Sequence, residues 1–102
     1  MNVTSEINKS CPVMVDRETR LDNAMAGAGK TLIYSYTLVN VSIGEINVPQ
    51  VETSLKPRII NVVKTSSETK FFRDKGVTLI YKYSDKVGVS VMEFKITPDD
   101  YR

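Results

Sequence analysis

The chain has 102 residues, a net charge of +2, one cysteine and no histidine. That length supports one domain with one modest core. The missing histidine excludes Ser-His-Asp and Cys-His triads, histidine metal ligands and a histidine pH switch, and a lone Cys11 excludes an intrachain disulfide.

No apolar run approaches the roughly 20 residues of a membrane span, and the first residues are polar, so the sequence as given reads as having neither a span nor a signal peptide. Met1–Ser10 carries Val3 and Ile7 at helical spacing, which predicts a short helical segment stopped by Pro12. Residues 13–25 open with Val13-Met14-Val15, pass through the charged run Asp16-Arg17-Glu18-Thr19-Arg20, and then alternate Leu21, Asn23 and Met25 with Asp22, Ala24 and Ala26. A strand is expected from about Thr19 to Met25. Gly27-Ala28-Gly29-Lys30 reads as a turn, and Thr31–Asn40 as a second strand, with Leu32, Tyr34, Tyr36 and Leu38 on one face.

Asn47 is a plausible N-cap, with Pro49 in the first turn. Val48, Val51, Leu55, Ile59, Val62 and Val63 then mark an amphipathic helix. Pro57 inside it predicts a kink or a helix in two parts. Thr65-Ser66-Ser67-Glu68 matches a capping box for a short second helix to about Lys75, burying Phe71 and Phe72 and ending at Gly76. A second hairpin follows. Val77, Leu79, Tyr81 and Tyr83 share one face of its first strand, Asp85 and Gly88 supply the turn, and the return strand ends near Thr97 ahead of Pro98.

The elements in order are α-β-β-α-α-β-β. Their economical arrangement is a single α+β domain, 1–102: a four-stranded antiparallel sheet from two β-hairpins, with one long kinked helix and short helices packed on one face.

Chemistry is sparse. Ala26-Gly27-Ala28-Gly29-Lys30-Thr31 has the look of a phosphate loop, but a strand follows it where that loop needs a helix, so it reads as a hairpin turn. Asp16, Glu18 and Asp22 could gather carboxylates on one face for a hard cation or acid–base work; with Arg17 and Arg20 among them, strand-edge ion pairs are the plainer use. Asp99 and Asp100 read as solvated chain-end carboxylates. Tyr34, Tyr36, Tyr81 and Tyr83 would line one sheet face if their strands are neighbours. That face reads either as core rings with hydroxyls at the rim or as a platform for bases or a protein segment. Arg73 lies at a helix end, complementing its dipole. Cys11 reads as a small apolar side chain. Asn2-Val3-Thr4, Asn8-Lys9-Ser10 and Asn40-Val41-Ser42 match the glycosylation pattern, which recurs by chance. From Lys56 to Lys86 there are eight Lys/Arg and three Asp/Glu, a local +5 whose plainest reading is a solvated face.

Six stretches, taken together, resemble a known family: Glu6-Ile7-Asn8-Lys9, the run from Pro12 through Met14-Val15-Asp16-Arg17-Glu18-Thr19-Arg20-Leu21-Asp22, Tyr36–Asn40, Lys56–Asn61, Phe72-Arg73-Asp74-Lys75-Gly76-Val77 and Ile96-Thr97-Pro98. They are similar to small, functionally uncharacterised bacterial proteins often found behind a signal peptide or membrane anchor. The most specific piece is Met14–Asp22. Where the family commonly has cysteines in the long helix and at the C-terminus, this chain has Val63 and Tyr101; where leucine precedes the proline, it has Cys11. The resemblance implies a bacterial envelope or periplasmic location if a leader was removed; without one, the chain fits the cytoplasm. It implies no activity.

The residues therefore predict a non-enzymatic protein-interaction module without a cofactor or catalytic residues, binding an unknown protein partner through the charged first strand or the helix-free sheet face. Candidate partner-binding residues are Asp16, Arg17, Arg20, Asp22, Tyr34, Tyr36 and Arg73, with Thr19 beside them. The alternative is nucleic-acid binding through the basic 56–86 segment and the sheet tyrosines, and an open edge strand would also admit a homodimer.

Overall fold

A computed structural model describes residues 8–101. Along them run β1 (Val13–Met14), β2 (Thr19–Gly27), β3 (Thr31–Leu38), a 3-10 turn (Ile43–Glu45), α1 (Val48–Thr65), a second 3-10 turn (Ser67–Thr69), α2 (Lys70–Lys75), β4 (Thr78–Ser84), β5 (Ser90–Ile96) and α3 (Pro98–Tyr101). Asn8 and Lys9 are helical; the rest of the expected N-terminal helical segment, with Val3 and Ile7, lies outside the described residues.

The class is α+β, but the expected four-stranded antiparallel sheet is not what forms. The sheet has five strands in the order β1-β2-β3-β4-β5, and the pair β3–β4 is parallel, with Tyr34 beside Tyr81 and Tyr36 beside Tyr83. The helical connection between β3 and β4 explains the pairing. It carries the chain back to the end of the sheet where β3 began, so the next neighbouring strand runs the same way. The extra strand, β1, pairs Val13 with Leu21 and Met14 with Arg20. Asp16 makes this possible: its carboxylate accepts from the amides of Glu18 and Thr19, both at 2.8 Å, and turns the charged run into a tight bend. After the helical Asn8 and Lys9, the described residues thus run through three strands before α1, and the short α3 closes the order.

A bulge shapes β2. The register slips between Leu21 and Asn23, leaving Asp22 as the extra residue. Strict alternation would put Leu21, Asn23 and Met25 on one face; instead Leu21 and Ala24 are buried while Asn23 and Met25 are exposed. The Asp22 carboxylate holds the bulge by accepting from Arg20 Nε at 2.6 Å and from the Thr37 hydroxyl.

α1 is one continuous helix, capped by Asn47, whose side chain accepts from Gln50 N–H; the expected division at Pro57 is absent. Pro57 and Thr53 are both exposed, so the carbonyl that proline leaves unpaired faces water. Arg73 closes the far end by donating to the carbonyls of Lys64 and Ser66. The capping box does not form as expected, because the Thr65 hydroxyl turns back to Asn61 O at 2.8 Å. Thr69 precedes α2, and its hydroxyl bonds the Val63 carbonyl at 2.6 Å. Gly76 stops α2 in the left-handed region, φ 68°. Phe72 is buried, whereas Phe71 is 48% exposed under Lys75.

Leu32, Leu79, Ile96 and Val63 are fully buried at the centre of the core. Val63 and Tyr101 belong to that one core. Tyr101 ties α3 down by donating to Val77 O at 2.8 Å. Asp100 is not simply solvated: its carboxylate accepts from Thr97 N–H at 2.8 Å.

Candidate functional site

α1 packs against β5 and the two short helices, so it does not roof the whole sheet. Between it and the β1–β2 hairpin lies a groove of about 530 Å³. Tyr36, Leu38, Tyr81, Tyr83 and Met92 form its floor. Val51, Leu55, Arg58, Ile59 and Val62 line the helix side; Val15, Asp16, Glu18 and Thr19 line the hairpin side; Val41 and Ile46 contribute from the connection after β3. The lining is mainly aliphatic and aromatic, with two carboxylates on one rim and Arg58 on the other. Val62 completes the apolar stripe of α1 yet remains 56% exposed, as a residue facing an open groove does.

The floor follows from sequence periodicity meeting parallel pairing. Alternation puts Tyr34 and Tyr36 on one face of β3 and Tyr81 and Tyr83 on one face of β4, and in-register pairing sets them side by side. Tyr34 stacks on Tyr81 with ring centroids 5.1 Å apart, and Tyr36 on Tyr83 at 5.0 Å. Phe94 meets Tyr83 edge-on at 5.9 Å. Burial raises the phenol pKa of Tyr36 and Tyr81 well above the ordinary value and pushes Tyr83 up to about 12. All three are neutral donors and acceptors at any physiological pH.

The predicted site residues separate. Asp16, with Glu18 and Thr19, stands on the groove rim, and Tyr36 on its floor. The amides of the turn hold the Asp16 carboxyl below the usual range. Tyr34 extends the ring array beside the groove. Arg20 and Asp22 lie on the opposite sheet face with Thr37. Arg17 is exposed in the turn, and Arg73 is at the end of α1. The carboxylates of Asp16, Glu18 and Asp22 do not converge, and no group of three potential metal ligands exists among the described residues. The glycine-rich run is the β2–β3 turn, Gly29 having φ 65°. Burial and the charge of Asp22 raise the Cys11 thiol pKa. The Asn8 side chain is engaged at both ends, donating to Ala24 O at 2.9 Å and accepting from Ala24 N–H at 2.8 Å.

Sequence reasoning missed the groove. Its helix wall was visible as the stripe Val51, Leu55, Ile59 and Val62, but a stripe that long reads as wholly buried. The one available signal was width: a single helix cannot cover a sheet of four or more strands, since helices are about 10 Å across and strands about 4.8 Å apart. No helix among the described residues is long and apolar enough to cross a membrane.

The same fold occurs in three solved bacterial structures. A Pseudomonas aeruginosa protein predicted to be secreted superposes with a TM-score of 0.81 at 14% identity, covering 99% of this chain and 88% of that one. A type 2 secretion system pilotin of Vibrio vulnificus gives 0.73 at 8% identity, covering 99% and 86%. A type II secretion system pilotin of Vibrio cholerae gives 0.71 at 14% identity, covering 97% and 85%. Identities this low show shared architecture only. Among curated protein sequences none matches the chain. Residues 1–92 match the family model described as Domain of unknown function (DUF8479), and the chain belongs to that family.

Proposed function

We propose that this protein is a non-enzymatic binding module of the bacterial envelope or periplasm, and that the groove between α1 and the β1–β2 hairpin holds an α-helical segment of a protein partner. The observation that carries this reading is the groove itself, apolar on floor and helix wall yet open. A helical occupant follows from the backbone accounting. β3 and β4 are interior strands, paired on both sides. In the hairpin wall, Val15 N–H donates to Thr19 O, Glu18 O accepts from Val39 N–H, and Asp16 takes the amides of Glu18 and Thr19. An extended peptide would find few main-chain partners here, whereas a helix satisfies its own backbone and offers an apolar face. The occurrence of this fold in two secretion-system proteins and a predicted secreted one supports a protein partner and an envelope location.

The charged first strand enters this reading through Asp16 and Glu18, which border the groove. Arg17, Arg20, Asp22, Tyr34 and Arg73 are outside it. Nothing in the arrangement favours nucleic acid: the tyrosines lie on the helix side, and the cations from Lys56 to Lys86 are spread over α1, α2, β4 and a turn. A homodimer through the sheet edges gains no support either, since β1 has two residues and β5 exposes Glu93 and Lys95.

The test is a titration of isotope-labelled protein with a synthetic amphipathic helix carrying a leucine face, followed by NMR. Shifts should concentrate at Val41, Leu55, Val62 and Tyr83, with a gain of peptide helicity by circular dichroism. Shifts concentrated instead at Met25, Ile33, Ile80 and Lys82, on the other sheet face, or none at all, would overturn the proposal.

A further inference from the structure

The groove floor carries a polar feature that its apolar lining does not predict. The hydroxyls of Tyr36, Tyr81 and Tyr83 make no hydrogen bond to any described residue. Their rings are packed: Tyr81 is 9% exposed and Tyr83 8%. Yet the only buried side-chain polar atom without a partner among the described residues is Arg73 Nε, so these three hydroxyls, on residues that line the groove, are not sealed from solvent. Tyr34 and Tyr101, the remaining tyrosines, are both engaged.

We infer that the three phenol hydroxyls are the specificity determinants of the groove, selecting a partner helix that sets hydroxyl or carboxamide side chains (Ser, Thr, Asn or Gln) among the apolar residues of its docking face. This rests on the groove being a helix site. A docked helix displaces the water that now solvates the phenols. A wholly aliphatic face would then leave up to three polar groups dry and unpaired, and a site built to hydrogen-bond rejects the partner that lacks the matching group. A face with two or three short polar side chains replaces the lost water bonds and keeps contact with Leu55, Ile59 and Met92. The stack holds the hydroxyls in place: Tyr36 lies between Tyr81, at 6.0 Å, and Tyr83, at 5.0 Å, with near-parallel planes. Because each phenol is neutral, it can donate as well as accept, so both halves of a carboxamide are recognised.

The experiment compares two synthetic amphipathic peptides of about 18 residues, long enough to form a helix when bound. One has an all-leucine face; in the other, two central leucines are replaced by asparagine and serine. Fluorescence anisotropy with wild-type protein should show the polar-bearing peptide binding about tenfold tighter or more. The variant Tyr36→Phe/Tyr81→Phe/Tyr83→Phe keeps the rings and should abolish or reverse that preference. Tyr83→Phe alone should reduce it, and serves if the triple variant does not fold. Equal binding of both peptides to wild type, or tighter binding of the all-leucine one, would overturn the inference while leaving a helix-binding groove. The same preference in the phenylalanine variant would also overturn it. Binding of neither peptide would remove the groove reading and this inference together.

Discussion

Asp85 links the stability of a turn to the shape of the groove. It is 1% exposed, and its carboxylate accepts from the amides of Val87 at 3.0 Å and Val89 at 2.9 Å. Its own amide donates to Val89 O, and the next residue, Lys86, donates to Val41 O at 2.9 Å, on the groove lining. Asp85→Ala removes at least the bonds to these two amides. Each contributes about 1.5–3 kcal/mol, offset in part because alanine spares the cost of burying a carboxylate. The net loss should be about 2 kcal/mol, or roughly 8–16 °C in Tm for a domain of this size. Asp85→Asn keeps an oxygen acceptor of the same shape and should lose about half as much. Urea unfolding by circular dichroism gives the energies. Hydrogen exchange at Lys86 reports whether the groove's end wall loosens with the turn. An alanine variant within about 0.5 kcal/mol of wild type, or an asparagine variant no better than alanine, would refute this account and leave the turn to Gly88 and the strands.

Three further outcomes are expected. The Tyr36, Tyr81 and Tyr83 phenols have folded pKa values above the unfolded value of about 10. Their contribution to stability is therefore full below that pH and lost as pH rises through the folded values; phenolate absorbance from more than two of the five tyrosines while circular dichroism stays native would contradict this. Asp16 and Asp100 are shifted the other way, by amide hydrogen bonds. What they add is present above the ordinary carboxylate range and lost as pH falls through their lowered values, so Asp100→Asn should flatten the decline of Tm with acid, and an unchanged slope would count against it. Pro57→Ala restores an N–H for the Thr53 carbonyl within a continuous helix and should stabilise by about 1 kcal/mol; a loss in thermal melts would mean that the proline shapes the helix.

Local pattern carried most elements. Strict alternation from Thr31 to Leu38 and the stripe from Val48 to Val63 were legible, because a covered strand and a half-covered helix leave periods of their own. Gly76 announced the end of α2. Pairing was another matter. Nothing in Tyr34 or Tyr81 states whether their strands run parallel; that follows from the path of the connection. The bulge at Asp22 reversed the faces of Asn23 and Ala24, since one extra residue shifts everything beyond it. The two residues of β1 are too few to show alternation, and only the Asp16 turn makes them a strand. Of the candidate residues, Asp16 and Tyr36 line the groove, while Arg20 and Asp22 serve the bulge and Arg73 the end of α1.

The grip of Asn8 on Ala24 has a consequence for solubility. Among the described residues β1 covers β2 only as far as Leu21, so no described strand pairs the edge beyond it. The carboxamide of Asn8 occupies both backbone groups of Ala24 much as one residue of a neighbouring strand would, and so plugs the gap against a second molecule adding itself there. Aspartate at position 8 would supply the acceptor and not the donor. A sugar on that nitrogen would pull the plug, leaving a sheet that folds correctly and aggregates more readily.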